Sequence, residues 1–151
     1  MTHEVTRIED SVYIEAPPES VWHVTTDPRL SPQWNANIVA IRDVSGVPVE
    51  TGSSWVQVVR ILGKSTDMRA VVTECHPPNG GTVQFSGPGE PLVTSKIEAE
   101  GSGSRLTQIM EITIPGGLGG MAMRIAIPTI ERELRHALES QKKAVEAGTF
   151  A

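Results

Sequence analysis

From Val5 to Glu15 apolar and polar side chains alternate, with Ile8, Val12 and Ile14 on one side and Arg7, Glu9, Ser11 and Glu15 on the other. A period of two predicts a half-buried strand. Asp10 breaks the rule by falling on the apolar side. Ala16-Pro17-Pro18 ends the strand, because proline cannot donate to a ladder. Pro18 to Thr26 then reads as a short helix with proline in its first turn. Asp27 to Asn35 reads as a second short helix or turn.

Six further strands are predicted: Ile38 to Val44, Thr51 to Leu62, Ser65 to Cys75, Thr82 to Ser86, Leu92 to Glu100 and Arg105 to Ile114. Glycine- and proline-bearing segments separate them, including Gly46-Val47-Pro48, Gly63-Lys64, the loop from His76 to Gly81 and the tip from Gly101 to Ser104. Pro115 to Gly120 reads as a flexible joint. Beyond it, Ile127, Ile130, Leu134, Leu138, Gln141 and Val145 recur at spacings of three and four, a helical stripe. Pro128 is expected to start or kink that helix, and Gly148 to end it. From Pro128 to Ala147 it would span roughly 30 Å at about 1.5 Å per residue. Tight turns between strands favour an antiparallel sheet, which makes the fold class α+β.

The composition adds limits. At 151 residues the chain suits a single domain, 1–151, with a sizeable core. A net charge of -5 argues against nucleic acid as the main partner. The basic residues from Arg124 to Lys143 are interrupted by acids and read as a solvated helix face. No stretch approaches the roughly 20 apolar residues of a membrane span. The start, Met1-Thr2-His3-Glu4, lacks the features of a signal peptide. Cys75 is the single cysteine, in keeping with a reducing compartment. A cytoplasmic location and a monomer or weak dimer are the expectations.

The ordered set Ile14-Glu15-Ala16-Pro17-Pro18-Glu19-Ser20-Val21-Trp22, Thr26-Asp27-Pro28, Trp34-Asn35, Gly52-Ser53-Ser54-Trp55, Gly63-Lys64, Pro115-Gly116-Gly117 and the final helix resembles the START-like, or polyketide cyclase/dehydrase, superfamily, which includes the birch-pollen allergens. The resemblance runs from about Val5 to Ala147. It implies a helix-grip fold: a seven-stranded curved antiparallel sheet wrapped round the long C-terminal helix, with two short helices after the first strand. It also implies a cavity between sheet and helix. Relatives bind lipids, hormones, pigments and polyketides, and a minority cyclise polyketides. With no universal catalytic residues in the superfamily, the resemblance names no reaction.

Strand faces rich in Val, Ile and Met with few polar groups suit an apolar ligand site. Aromatic residues make up 4% of the chain, and three of them are Trp22, Trp34 and Trp55. Trp22 reads as a helix anchor. Trp34 with Asn35 flanks the expected cavity mouth, and Trp55 shares a strand face with Gln57, Val59 and Ile61. The last strand sets Gln108 between Leu106 and Met110, and its neighbour places Ser95 in the equivalent position. A buried amide without a partner costs about 1–3 kcal/mol, so these groups need a structural partner or a ligand. Asp10 poses the same question more sharply; near Gln108 it would be a candidate proton acceptor with a raised pKa. The expected ligand-binding set is therefore Asp10, Trp34, Asn35, Trp55, Gln57, Phe85, Ser95, Gln108, Met110, Leu134 and Leu138. Arg60 and Arg69 are expected on the outer face.

No cofactor or metal is expected. Glu74-Cys75-His76 holds potential ligands, but neighbours on a strand point to opposite faces, and no second cluster completes a zinc site. There is no nucleophile elbow, and the glycines from Gly116 to Gly120 lack the Lys-Ser/Thr ending of a phosphate loop. The leading expectation is a binding protein for a small hydrophobic or aromatic molecule, lipid- or polyketide-like. The alternatives are a polyketide aromatase/cyclase or dehydratase, and a non-catalytic interaction module with a filled interior.

Overall fold

In the computed structural model, which describes residues 4–61 and 63–148, β1 (Glu4–Ile14) leads into α1 (Pro18–Thr26), a 3-10 turn (Pro28–Leu30) and the single turn α2 (Ser31–Trp34). Then come β2 (Ile38–Arg42), β3 (Ser54–Ile61), β4 (Lys64–His76), β5 (Gly80–Phe85), β6 (Leu92–Glu100), β7 (Gly103–Ile114) and α3 (Gly117–Glu146). Leu62, expected to end the third strand, lies outside the described residues, as do Met1 to His3.

The strands form one seven-stranded sheet in the order β1-β7-β6-β5-β4-β3-β2, and every neighbouring pair is antiparallel. The first strand thus pairs with the last. Their register sets Ile8 opposite Met110 and Val12 opposite Leu106, so apolar side chains meet across the ladder on one face. Ser104, fully buried, donates its hydroxyl to the Ala16 carbonyl at 2.7 Å and closes the end of β1. A register shift in β4 between Val72 and Glu74 inserts an extra residue. Such bulges sharpen the local bend of a sheet.

The final helix differs from its expected start. It begins at Gly117, not Pro128, and its 30 residues span about 45 Å. Pro128 is accommodated inside it, at the loss of one backbone donor to the preceding turn. The glycines read as a joint are needed for the start itself. Gly117 has φ +77°, a left-handed value that favours glycine. A Cβ on Gly120 would come within 1.8 Å of the Pro115 carbonyl oxygen, so the helix's first turn closes on Pro115 only with glycine there.

The second half of α3 supplies Leu134, Leu138 and Val145 to a buried cluster with Ile8, Val12 and Ile14 of β1, Leu106 and Ile112 of β7, Ile97 of β6 and Val21 and Val24 of α1. A smaller cluster, Val49, Trp55, Ala70 and Val72, lies on the β3–β4 side. The helix packs on β1, β7, α1 and α2. It therefore covers one flank of the concave sheet and stands off from the other. No helix among the described residues is long and apolar enough to cross a membrane.

Candidate functional site

Between α3 and the uncovered flank lies a cavity of about 600 Å³. Its wall combines sheet positions from β2 to β7 with α1, α2 and the helical stretch from Ala122 to Ala137. Of the residues expected at a ligand site, Trp34, Asn35, Trp55, Gln57 and Phe85 line it, as do Ser95, Gln108, Met110 and Leu134. They come from six elements and the loop after α2, and the sheet's curvature brings them to one space.

Two expected members lie elsewhere. Leu138 has no exposed surface and belongs to the filled core. Asp10 is gripped by Arg135 of α3, whose Nε and Nη2 donate to the two carboxylate oxygens at 2.9 and 2.6 Å. Arg135 also donates to the Ser11 carbonyl and to Glu139, and its own pKa is raised, first by the bond to Asp10 and then by Glu139. A carboxylate held in this fork is a rivet between β1 and α3, so the structure corrects the reading of Asp10 as a cavity proton acceptor. Its partner is 125 residues away in the chain, beyond the reach of strand periodicity.

Gln108 and Ser95 line the cavity, and both have structural partners. Gln141, fully buried on α3, donates Nε2 to the Gln108 Oε1 at 3.2 Å and to the Ala137 carbonyl at 3.3 Å. Thr25 donates its hydroxyl to the Gln141 Oε1 at 3.0 Å. Gln108 in turn donates Nε2 to Ser95 Oγ at 3.1 Å. The relay Thr25–Gln141–Gln108–Ser95 ties α1, α3, β7 and β6 together through the interior. Polar groups left unpaired there would be costly; linked, they set the orientation of each other's amides.

Trp34 and Trp55 contrast with that relay. Each indole Nε1 has less than 1 Å² of open surface and no hydrogen-bond partner among the described residues. Trp22, read as an anchor, packs against both clusters and lines the cavity as well. Met123, Ala126, Ile127 and Ile130 of α3 also face it. The helical spacing of Met123, Ile127, Ile130 and Leu134 carries that signal past Pro128, where the proline had suggested an interruption.

The titratable residues bordering the cavity are Arg60, Glu74, Cys75 and Glu133. Arg60, Glu74 and Glu133 are exposed and Cys75 is half-buried. Arg60, expected outside, stands at the rim, while Arg69 is exposed and away from it. Glu74 and Cys75 both border the space despite being neighbours, because the β4 bulge interrupts the alternation of faces. Burial pushes the Cys75 thiol up, and Glu50 adds to the effect; such a thiol is a poor nucleophile. A second, more open groove of about 460 Å³ adjoins the cavity through Asn35, Asn37, Thr129, Glu133 and Ala137, with Arg132 and His136 on its walls.

The profile of a family described as polyketide cyclase / dehydrase and lipid transport matches residues 5–146. Comparison with curated proteins by sequence finds no match. Among solved structures, the chain is similar to the Zhui aromatase/cyclase from Streptomyces sp. R1128, at 14% identity and a TM-score of 0.80 with 98% of each chain covered. The protein TTHA0849 from Thermus thermophilus gives 16% identity and 0.79, covering 95% of this chain and 99% of that one. Ara h 8.0201 gives 15% and 0.72 over the same shares. At such identities the likeness is one of fold.

Proposed function

Because the chain belongs to the polyketide cyclase/dehydrase and lipid-transport family, we propose that it is a single-domain cytoplasmic protein that binds a small hydrophobic or aromatic molecule between its sheet and C-terminal helix. The observation that carries this reading is the cavity of about 600 Å³ bounded by apolar side chains, with its carboxylates and its guanidinium at the exposed rim. A volume of that size falls in the range of small-molecule sites. A ligand of about 20 heavy atoms at roughly 0.3 kcal/mol per atom gains about 6 kcal/mol, a Kd on the order of tens of micromolar. A cognate ligand should bind more tightly than that.

A cyclase or dehydratase is the second reading, favoured by the family's description and by the wall's tryptophans and amides. Acid–base chemistry wants a buried group poised near neutrality, and among the described residues the cavity's one half-buried titratable group is a thiol pushed away from it. This tilts the balance to binding without turnover.

The test is native mass spectrometry of freshly expressed protein, followed by denaturing extraction of any adduct. A stoichiometric apolar adduct is expected, together with strong fluorescence gain from anilinonaphthalene sulfonate in stripped protein. Ala126→Trp should abolish both by filling the space, while circular dichroism stays that of the parent. No adduct and no dye signal in the parent would leave an empty or self-filled interior and refute the binding reading.

A further inference from the structure

The sheet has two edges, and the fold treats them unequally. β2 forms one edge; it is five residues long, and its register on β3 shifts between Ile38 and Ala40. Short, irregular edges resist further pairing. β1 forms the other, eleven residues in unbroken register on β7. In an edge strand alternate residues turn both backbone groups to the neighbouring strand, and the residues between turn theirs outward. Ser11 and Tyr13 belong to the outward set. From α3, Arg135 donates to the Ser11 carbonyl at 3.0 Å and Lys142 to the Tyr13 carbonyl at 2.7 Å. The Ser11 amide donates to Asp10 Oδ1 and, just past the strand, the Glu15 amide to Glu146, both at 2.8 Å.

These caps stop at Ser11. Counting back by twos, Val5, Arg7 and Glu9 also turn their backbone groups outward, and all three residues are exposed. Among the described residues no side chain caps them. Arg124, which reaches this end of β1 from α3, bonds the Glu4 side chain and leaves the backbone open. An uncapped, exposed edge is a template for another strand. Its charges say which one. Arg7 and Glu9 are opposite in sign and two residues apart, so the stretch is complementary to itself in an antiparallel pairing. With Arg7 opposite the second copy's Glu9, two-fold symmetry sets Glu9 opposite the second copy's Arg7. Each of these two pairs can exchange two backbone hydrogen bonds, and their side chains meet on the face away from the core. The adjacent symmetric registers set Arg7 on Arg7 or Glu9 on Glu9.

We propose that this chain self-associates as a two-fold dimer in which the Val5–Glu9 stretches of two β1 strands pair antiparallel, Arg7 of each copy against Glu9 of the other. The two sheets then run on as one. The turn of α3 that reaches Glu4 also exposes Met121 and Ile125, at 56% and 78%, apolar surface beside the seam for the second copy to shield. A ladder this short buries less than the roughly 1,200 Å² of a standard stable interface, so the association is weak and concentration-dependent. No β1 residue lines the cavity, and the pairing is therefore independent of ligand binding.

Sedimentation equilibrium of the full chain, from about 10 micromolar to about 1 millimolar, tests this together with amide hydrogen exchange. A reversible monomer–dimer equilibrium is expected, with exchange at the Arg7 and Glu9 amides slowing as concentration rises. Arg7→Glu and Glu9→Arg each set like charges opposite one another and should weaken the dimer about tenfold. Mixed in equal amounts, the two variants should form a heterodimer as tight as the parent dimer, because the two substituted side chains then meet as opposites. The double variant Arg7→Glu/Glu9→Arg should also dimerise like the parent, which separates loss of charge pairing from loss of folding. A monomer at every concentration would overturn the proposal. Dimerisation unchanged in both single variants would overturn the assignment to the β1 edge. Single variants that weaken the dimer but do not recover on mixing would overturn the register.

Discussion

The two flanks of the concave sheet carry similar side chains and meet different fates. On the β1–β7 flank, Ile8, Val12 and Leu106 share a filled cluster with Leu138 and Val145 of α3. On the β3–β5 flank, Val59, Val83 and Phe85, half-buried, border open space. Both flanks read as apolar faces of period-two strands. The difference lies opposite them: a helix on one side and the cavity on the other. Apolar lining by itself therefore does not separate a core from a binding site. The placement of the covering helix does.

Cutting one side chain from each flank breaks the comparison most directly. Leu138→Ala removes a fully buried side chain from close packing and should cost about 2–5 kcal/mol, the lost transfer energy plus the cavity left behind. Val83→Ala removes two methyl groups from a wall that already borders empty space. No new void forms inside packed structure, so its cost should stay below about 1 kcal/mol. Urea melts of the two variants read the contrast; equal losses would mean that the cavity flank is as tightly packed as the core.

The order and type of the elements were legible because strand and helix periods are local properties. So was most of the cavity wall, since strand alternation assigns Trp55 and Gln57, or Ser95 and Gln108, to a face. The start of α3 was misread because glycine and proline are weighed as breakers, whereas Gly120 is where the helix meets Pro115. Asp10 was misread because its meaning depends on Arg135, and no local pattern links positions so far apart. Glu74 and Cys75 escaped the alternation rule at a bulge. The volume of the cavity is a matter of how far α3 stands from the sheet, which periodicity does not encode.

The cavity flank draws rigidity from a polar device at its end. Asp27 is 8% exposed and accepts from the Arg29 backbone at 3.0 Å and from its side chain at 3.0 and 2.7 Å. This ties down the turn whose Pro28 faces the cavity. The Arg29 side-chain bond holds the Asp27 carboxyl below its ordinary value against the opposing effect of burial. A depressed carboxylate pKa contributes stability above the unfolded value, and that contribution is lost as pH falls through the folded pKa. Asp27→Asn should thus cost about 1 kcal/mol at neutral pH. The deficit relative to the parent should shrink as pH drops from the ordinary aspartate range, about 4, downwards. A deficit that stays constant across that range would show that the carboxylate charge contributes nothing.

The smallest effect sharpens the comparison from the filled side. The Asp10–Arg135 pair rivets α3 to β1 but is only half-shielded, with side-chain exposures of 32% and 43%. Solvent screening limits such a pair to about 1 kcal/mol or less. Asp10→Asn keeps the shape, gives up the charge and retains one acceptor for Arg135, so a loss of about 0.5 kcal/mol is expected. Its value lies in what should not move. Asp10 borders the packed flank and not the cavity, so probe affinity should be that of the parent even as the melting temperature slips. If affinity falls with stability, the grip of α3 on β1 also sets the width of the cavity, and the two flanks act as one mechanical unit. If affinity holds, the helix is anchored on one side so that the other can open to a ligand without loosening the core.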